Sequence, residues 1–370
     1  MEAVDTLFAQ KDVYDVPASD AVFLKSAKEN IAFQIAHCEE YARLMKAFSF
    51  SPEQLLTPGD LARIPFLPTL FLKSNHLFSI PEQELYIKAT SSGTRGQFSR
   101  VGFEKAAYTR GLKMVTRLFR RHGLLTVLPH HYMMLGYPPG SAAAMGAVQT
   151  AHGIAKLTPA LSRTYALKET KDGFAPDIDE MLFALEHRAH SPFPIRFIGF
   201  PSFMYLLLKG MEKRSLALTL PPHSRILLAG GWKLFDGPAV DRPTLLALIE
   251  ERLQIKRSHV HEFFSAVEHP IAYCACEHGH FHISIYSRVF ARDIHTLAPL
   301  PHGQSGILNF ITPITRAVPL ISVATDDIGE TGEGCTCNNP APYFKLYGRA
   351  GLKDIKTCAA GASKWMENIL

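Results

Sequence analysis

Apolar positions near the start of the chain recur every three or four residues. Phe23, Ala27, Ile31, Ile35, Cys38, Ala42 and Met45 make one stripe and predict a helix over residues 19–47. Ser51-Pro52-Glu53-Gln54 reads as a helix start, with Ser as cap and Pro at the first position. Pro65 and Pro68 then break the chain into an extended approach to Phe71-Leu72. Glu84-Leu85-Tyr86-Ile87 predicts a strand, Glu104 to Arg120 a helix, and Leu124 to Leu128 a buried strand.

The middle of the chain alternates. Arg196 to Phe200 and Arg225 to Ala229 are short apolar runs of strand type, followed by helical patterns over Ser202 to Glu212 and Pro243 to Leu253. Such alternation predicts an α/β body, a mostly parallel sheet covered on both faces. Beyond about Pro270 the pattern becomes short β-like runs, His280 to Tyr286, Gly306 to Thr312 and Leu320 to Ala324, as expected of a small β-rich subdomain. The expected organisation is a helical region over 1–80, an α/β body over 81–268, the β-rich part over 269–348 and a tail over 349–370.

Composition narrows the class. The chain has 370 residues, 47% hydrophobic and 20% charged, with a net charge of +5. That is globular composition with no dense basic run, so nucleic acid binding is not indicated. The apolar run Phe203 to Leu208 is too short to span a bilayer, and Met1-Glu2-Ala3-Val4-Asp5 lacks a signal-peptide core. Six cysteines in so long a chain do not suggest a disulfide framework, and a cytoplasmic protein is expected.

The stretch richest in chemistry is Thr90-Ser91-Ser92-Gly93-Thr94-Arg95-Gly96. Its hydroxyls and glycines suit a loop that gathers N–H and O–H donors round a phosphate. No Gly-Lys-Ser/Thr follows, so it is not a Walker loop. Gly230-Gly231-Trp232-Lys233 lies at a strand end, where ligands of α/β sheets bind. Cys274, Cys276, His278, His280 and His282 fall close together, and Cys335 and Cys337 form a second pair. Thiols and imidazoles so grouped suit zinc. The expected ligands are Cys276, His282, Cys335 and Cys337. Cys274 and the neighbouring histidines remain alternatives to Cys276 and His282.

Several of these stretches resemble the motifs of adenylate-forming enzymes in the right order. Thr90 to Gly96 resembles their phosphate loop, although Arg95 replaces the usual second Thr and Ser99-Arg100 stand where a Lys often closes the motif. Phe263-Phe264-Ser265-Ala266-Val267-Glu268 resembles the Tyr-Gly-x-Thr-Glu motif, without its Gly and Thr. Ala324 to Gly329 resembles the Thr-Gly-Asp motif, and Gly348-Arg349 the Gly-Arg that follows it. With Ile64-Pro65-Phe66-Leu67-Pro68, Leu228 to Lys233 and the chain end, the sequence is identified as a member of the acyl-protein synthetase (LuxE) family, related to phenylacetate–CoA ligases.

The resemblance implies the large α/β domain of adenylate-forming enzymes, without their mobile C-terminal domain. It implies ATP bound by Thr90, Ser91, Ser92, Gly93, Thr94, Gly96, Gly230 and Gly231. Mg²⁺ would be at Glu268 and the ribose at Asp327, with Asp326 the alternative. Arg349 would contact ribose or phosphate. The implied substrate is a fatty acid or other carboxylic acid. Its acyl group would pass to Cys358 and then to a partner such as a reductase or carrier protein. The alternatives are an acyl- or aryl-CoA ligase-like enzyme and a catalytically degenerate, zinc-stapled binding module.

Overall fold

A computed structural model describes residues 2–90, 100–139, 146–171, 173–230 and 240–349. The chain forms two compact units, residues 1–121, 265–273 and 278–370 in the first, and 122–264 with 274–277 in the second.

In the first unit, α1 (Ala3–Leu7) precedes α2 (Val16–His37) and α3 (Glu39–Ala47). The predicted single helix over 19–47 is thus two. The Asp15 carboxylate caps α2 by accepting from the Ala18 N–H, and Pro17 sits in the first turn. The break comes at Cys38, whose φ of −133° and ψ of 104° are extended. Glu39 and Glu40 then favour a fresh start at the positive end of α3. The predicted helix start at Ser51 becomes a single 3-10 turn, Pro52–Gln54.

Next comes β1 (Leu67–Pro68), in the stretch expected to be extended, and then α4 (Thr69–Ser74), which carries Phe71-Leu72. An antiparallel pair follows, β2 (Ile87–Thr90) and β3 (Arg100–Phe103), and then α5 (Lys105–Arg121).

The second unit contains β4 (His130–Leu135), α6 (Gly146–Ile154), β5 (Ala160–Tyr165), the hairpin β6 (Leu167–Thr170) and β7 (Gly173–Pro176), and α7 (Ile178–Ala189). It continues through β8 (Ile195–Gly199), α8 (Pro201–Lys213), β9 (Arg225–Ala229), α9 (Arg242–Leu253) and β10 (Val260–Phe264). With β11 (Tyr273–Cys274) the sheet order is β11-β10-β9-β8-β4-β5, and β10, β9, β8, β4 and β5 run parallel. Met133, Leu135, Phe197, Ile226 and Leu228 pack on one face with Met181, Leu185, Met204, Leu208 and Ile249. The expected strand over Leu124 to Leu128 does not form; Val127 is 92% exposed, and the strand begins at His130.

Two glycines end strands of this sheet. At Gly199, φ is +142° and an added Cβ would lie 2.2 Å from the Leu135 carbonyl oxygen. At Gly230, φ is +78° and the Cβ would meet the Phe200 ring at 2.9 Å. Both positions therefore require glycine.

The first unit resumes with β12 (Phe281–His282), β13 (Arg288–Arg292), β14 (Ser305–Ile311), β15 (Ser322–Gly332) and β16 (Tyr343–Arg349). They form an antiparallel sheet in the order β12-β16-β15-β14-β13, with β1 added parallel to β15. Helix α2 is tied to the loop between β14 and β15. Asn30 Nδ2 donates to the carbonyls of Thr315 at 2.6 Å and Pro313 at 3.3 Å, and Gln34 Nε2 to those of Arg316 and Val318. The Glu104 carboxylate accepts from the Thr315 hydroxyl and the Arg316 and Ala317 N–H groups. These bonds join the N-terminal helices and the β-rich part within the first unit.

Candidate functional site

Strand β2 ends at Thr90, opposite Arg100 at the start of β3. Ser91, Ser92, Gly93, Thr94 and Gly96 lie between these ends and outside the described residues, as do Gly231 and Cys358. The described ends of the expected phosphate loop are therefore held together by an antiparallel pair.

On β15, Asp327 stands opposite Arg349 of β16. Asp327 is buried, and its N–H donates to the Thr325 hydroxyl at 3.3 Å. Its neighbour Asp326 accepts from the Thr69 hydroxyl at 3.1 Å and lies 3.9 Å from Lys73 Nζ. The two adjacent acids thus have different surroundings. Asp326 is engaged with α4, beside the β1–β15 pairing, while Asp327 faces Arg349's register position. Lys73 is a charged residue the sequence analysis did not single out. The signal was its spacing of four from Thr69, one helical turn, directly after Pro68.

Glu268 is 5% exposed and makes no hydrogen bond or ion pair among the described residues. A carboxylate without a cationic side chain beside it among the described residues can serve as an oxygen ligand to a divalent metal ion. The next residue, His269, is fully buried, and Tyr273 OH lies 2.7 Å from its Nε2. Tyr273 in turn donates to Ser287 Oγ at 2.8 Å. Burial alone lowers the His269 pKa to about 3, so the ring is neutral and adds no charge beside Glu268. In the second unit, Gly230 stands at the carboxyl end of β9. That is the edge where parallel sheets bind ligands.

His282, Cys335 and Cys337 bring one donor atom each to within 4.8 Å of one another. His282 Nε2 lies 3.0 Å from Cys337 Sγ, and its Nδ1 is 3.0 Å from the Ala341 carbonyl oxygen. A carbonyl on Nδ1 fixes the tautomer that leaves Nε2 free to ligate. Burial lowers the His282 pKa, which favours the neutral, ligating ring. His280 Nδ1 lies 3.2 Å from Cys335 Sγ and adds a second imidazole to the group. These donors suit zinc. Cys276 belongs to the 274–277 stretch grouped with the second unit. Strand β11 stops at Cys274, so two-residue alternation does not carry from Cys274 to Cys276.

Comparison with known proteins decides the family. The model of the family "Acyl-protein synthetase, LuxE" matches residues 13–366.

The chain belongs to the acyl-protein synthetase (LuxE) family.

A long-chain-fatty-acid–luciferin-component ligase from Vibrio harveyi is 27% identical over 308 residues, covering 82% of this chain and 79% of the relative. A phenylacetate–coenzyme A ligase from Aromatoleum evansii is 24% identical over 319 residues, covering 81% and 64%. Among solved structures, 2-hydroxyisobutyryl-CoA ligase in complex with 2-HIB-AMP superposes with a TM-score of 0.64 at 16% identity, covering 92% of this chain and 69% of that one. The fold is thus the α/β fold of adenylate-forming enzymes. Within this LuxE-family chain, the residues expected to hold nucleotide fall partly in each unit. Thr90, Glu268, Asp327 and Arg349 are in the first and Gly230 is in the second. Among the described residues, no helix is long and apolar enough to cross a membrane.

Proposed function

We infer that this chain is an ATP-dependent acyl-protein synthetase acting on a fatty acid. A carboxylate oxygen of the acid attacks the α-phosphorus of ATP, and the bond to pyrophosphate breaks, leaving acyl-AMP. The Cys358 thiolate then attacks the acyl carbon, expelling AMP and forming a thioester. The acyl group passes on to a partner such as a reductase or a carrier protein.

In this reading Thr90, Ser91, Ser92, Gly93, Thr94 and Gly96 bind the phosphates, Gly230 and Gly231 border the nucleotide, and Asp327 accepts from the ribose hydroxyls. Arg349 lies beside ribose or phosphate. Bound Mg²⁺ would supply charge neutralisation between Glu268 and the phosphates. The observation that supports the reading is Glu268, a residue with little exposure and no ion pair among the described residues, within the motif that resembles the metal-holding motif of adenylate-forming enzymes. The fatty-acid substrate is supported by the name of the Vibrio harveyi relative.

A screen of carboxylic acids for ATP-dependent pyrophosphate release tests it. Release should require a long-chain acid and Mg²⁺ and should disappear when Ser91, Ser92 and Thr94 are all replaced by Ala. Release independent of any acid contradicts the reading.

The similarity to phenylacetate–coenzyme A ligase favours a second reading, in which coenzyme A takes the acyl group. Its mark is an acyl product that forms only when coenzyme A is supplied. In either case a structural zinc is proposed at His282, Cys335 and Cys337, with Cys276 the fourth ligand expected from the sequence.

A further inference from the structure

A different group of metal-binding side chains lies wholly within the second unit. His122 follows α5 directly, His261 is the second residue of β10, and Cys274 ends β11. One donor atom from each lies within 4.8 Å of the other two. Strand β11 is the neighbour of β10 in the sheet, and the Ala275 N–H donates to the Glu262 carbonyl at 2.8 Å, which fixes Cys274 beside His261. The imidazoles of His122 and His261 meet edge to face, with centroids 6.4 Å apart. Cys274 is buried and His261 largely so.

The decisive detail is His261 Nε2. It is buried and has no hydrogen-bond partner among the described residues. A buried ring nitrogen left unpaired carries a desolvation penalty that a ligand can remove. The other two members of the group supply a second imidazole and a thiol, the ligand types that zinc selects. Around zinc, with bonds of about 2.0–2.3 Å, tetrahedral donors stand about 3.6 Å apart. The three donors would thus have to close by at most about 1 Å.

We propose that His122, His261 and Cys274 form a three-ligand site for a thiophilic divalent cation of the zinc class, separate from the group at His282, Cys335 and Cys337. Three protein ligands leave the fourth position open, so this metal exchanges more readily than one in a closed four-ligand site. Arg196 and Arg225 are register partners on β8 and β9. Arg225 lies two residues before Leu227, the register partner of His261, so both arginines share His261's face of the sheet. Their charge opposes a bare dication but is offset by the thiolate, and it favours an anion, hydroxide or chloride, as fourth ligand. The metal would tie the residue after α5 to the strand leading into Phe263-Phe264-Ser265-Ala266-Val267-Glu268.

The test is metal content of the full chain after equilibration with zinc and dialysis. His261→Ala and His122→Ala should each lose about one zinc per chain relative to the unsubstituted protein, while keeping its circular dichroism spectrum. His122 is half-buried, so its variant remains informative if replacement of Cys274 or His261 disturbs folding. In a Cys335→Ser background, added cobalt should still give a thiolate-to-metal charge-transfer absorption, and a further His261→Ala should abolish it. Unchanged zinc content in both histidine variants, or no thiolate–cobalt absorption in the Cys335→Ser protein, overturns the proposal.

Discussion

Replacing Glu268 with Gln separates the needs of the fold from those of the chemistry. Glu268 as a residue is 5% exposed and has no hydrogen bond or ion pair among the described residues. No described contact of the fold depends on its charge. Gln keeps the shape and removes only the charge. The change in stability of metal-free protein should stay within about 1 kcal/mol, which is about 1–2 °C of Tm in a chain of 370 residues. The same change removes the expected metal-holding oxygen, so acid-dependent ATP–pyrophosphate exchange should fall by about 100-fold or more. Thermal melts in chelator and isotope exchange with saturating Mg²⁺ read the two effects separately. A Glu268→Gln protein that melts several degrees below the unsubstituted protein contradicts the view that the fold does not need this charge. One that exchanges normally contradicts the metal assignment.

Further outcomes follow from other contacts. Asn30→Ala leaves the Pro313 and Thr315 carbonyls without their donor and should cost about 2–3 kcal/mol in denaturant melts, with no direct effect on exchange. Burial holds His130 near a pKa of about 4 and His269 near about 3, both below the ordinary 6.5. The unfolded chain therefore takes up these protons first as pH falls. The stability these rings contribute is whole above about pH 6.5 and is lost between there and pH 3–4. At pH 5 the loss is on the order of 2 kcal/mol for each ring, and the drop in Tm from pH 7 to 5 should shrink in His130→Gln. Cys335→Ser should lose about one zinc per chain by elemental analysis and lower Tm, because structural zinc contributes folding energy. Full stability without metal would refute that site.

The α/β body was legible where strands are short apolar runs followed by capped helices. Strand β9 matches its expected bounds, and α9 starts at Arg242 behind the Asp241 cap, one residue before the expected Pro243. Strand β4 was hidden because it begins His130-His131-Tyr132, while the more apolar Leu124 to Leu128 lies just before it. Being bonded to β5 on one side and β8 on the other outweighed local hydrophobicity. The break at Cys38 left no trace because the apolar stripe continues through it.

The candidate chemistry divides similarly. Thiols and imidazoles adjacent in sequence were easy to group, but His122 joins His261 and Cys274 through the fold alone. The contacts of Asp326 with Thr69 and Lys73 of α4 likewise come from the fold and leave no mark in the sequence around it.

Acyl transfer to the chain itself is the central claim, and labelling tests it most directly. The protein is incubated with ATP, Mg²⁺ and a radiolabelled long-chain fatty acid, without coenzyme A. The account predicts a covalent label that neutral hydroxylamine releases, and a Cys358→Ser variant that loses the label yet still forms acyl-AMP. A label that survives in Cys358→Ser, or that appears only once coenzyme A is added, would contradict it.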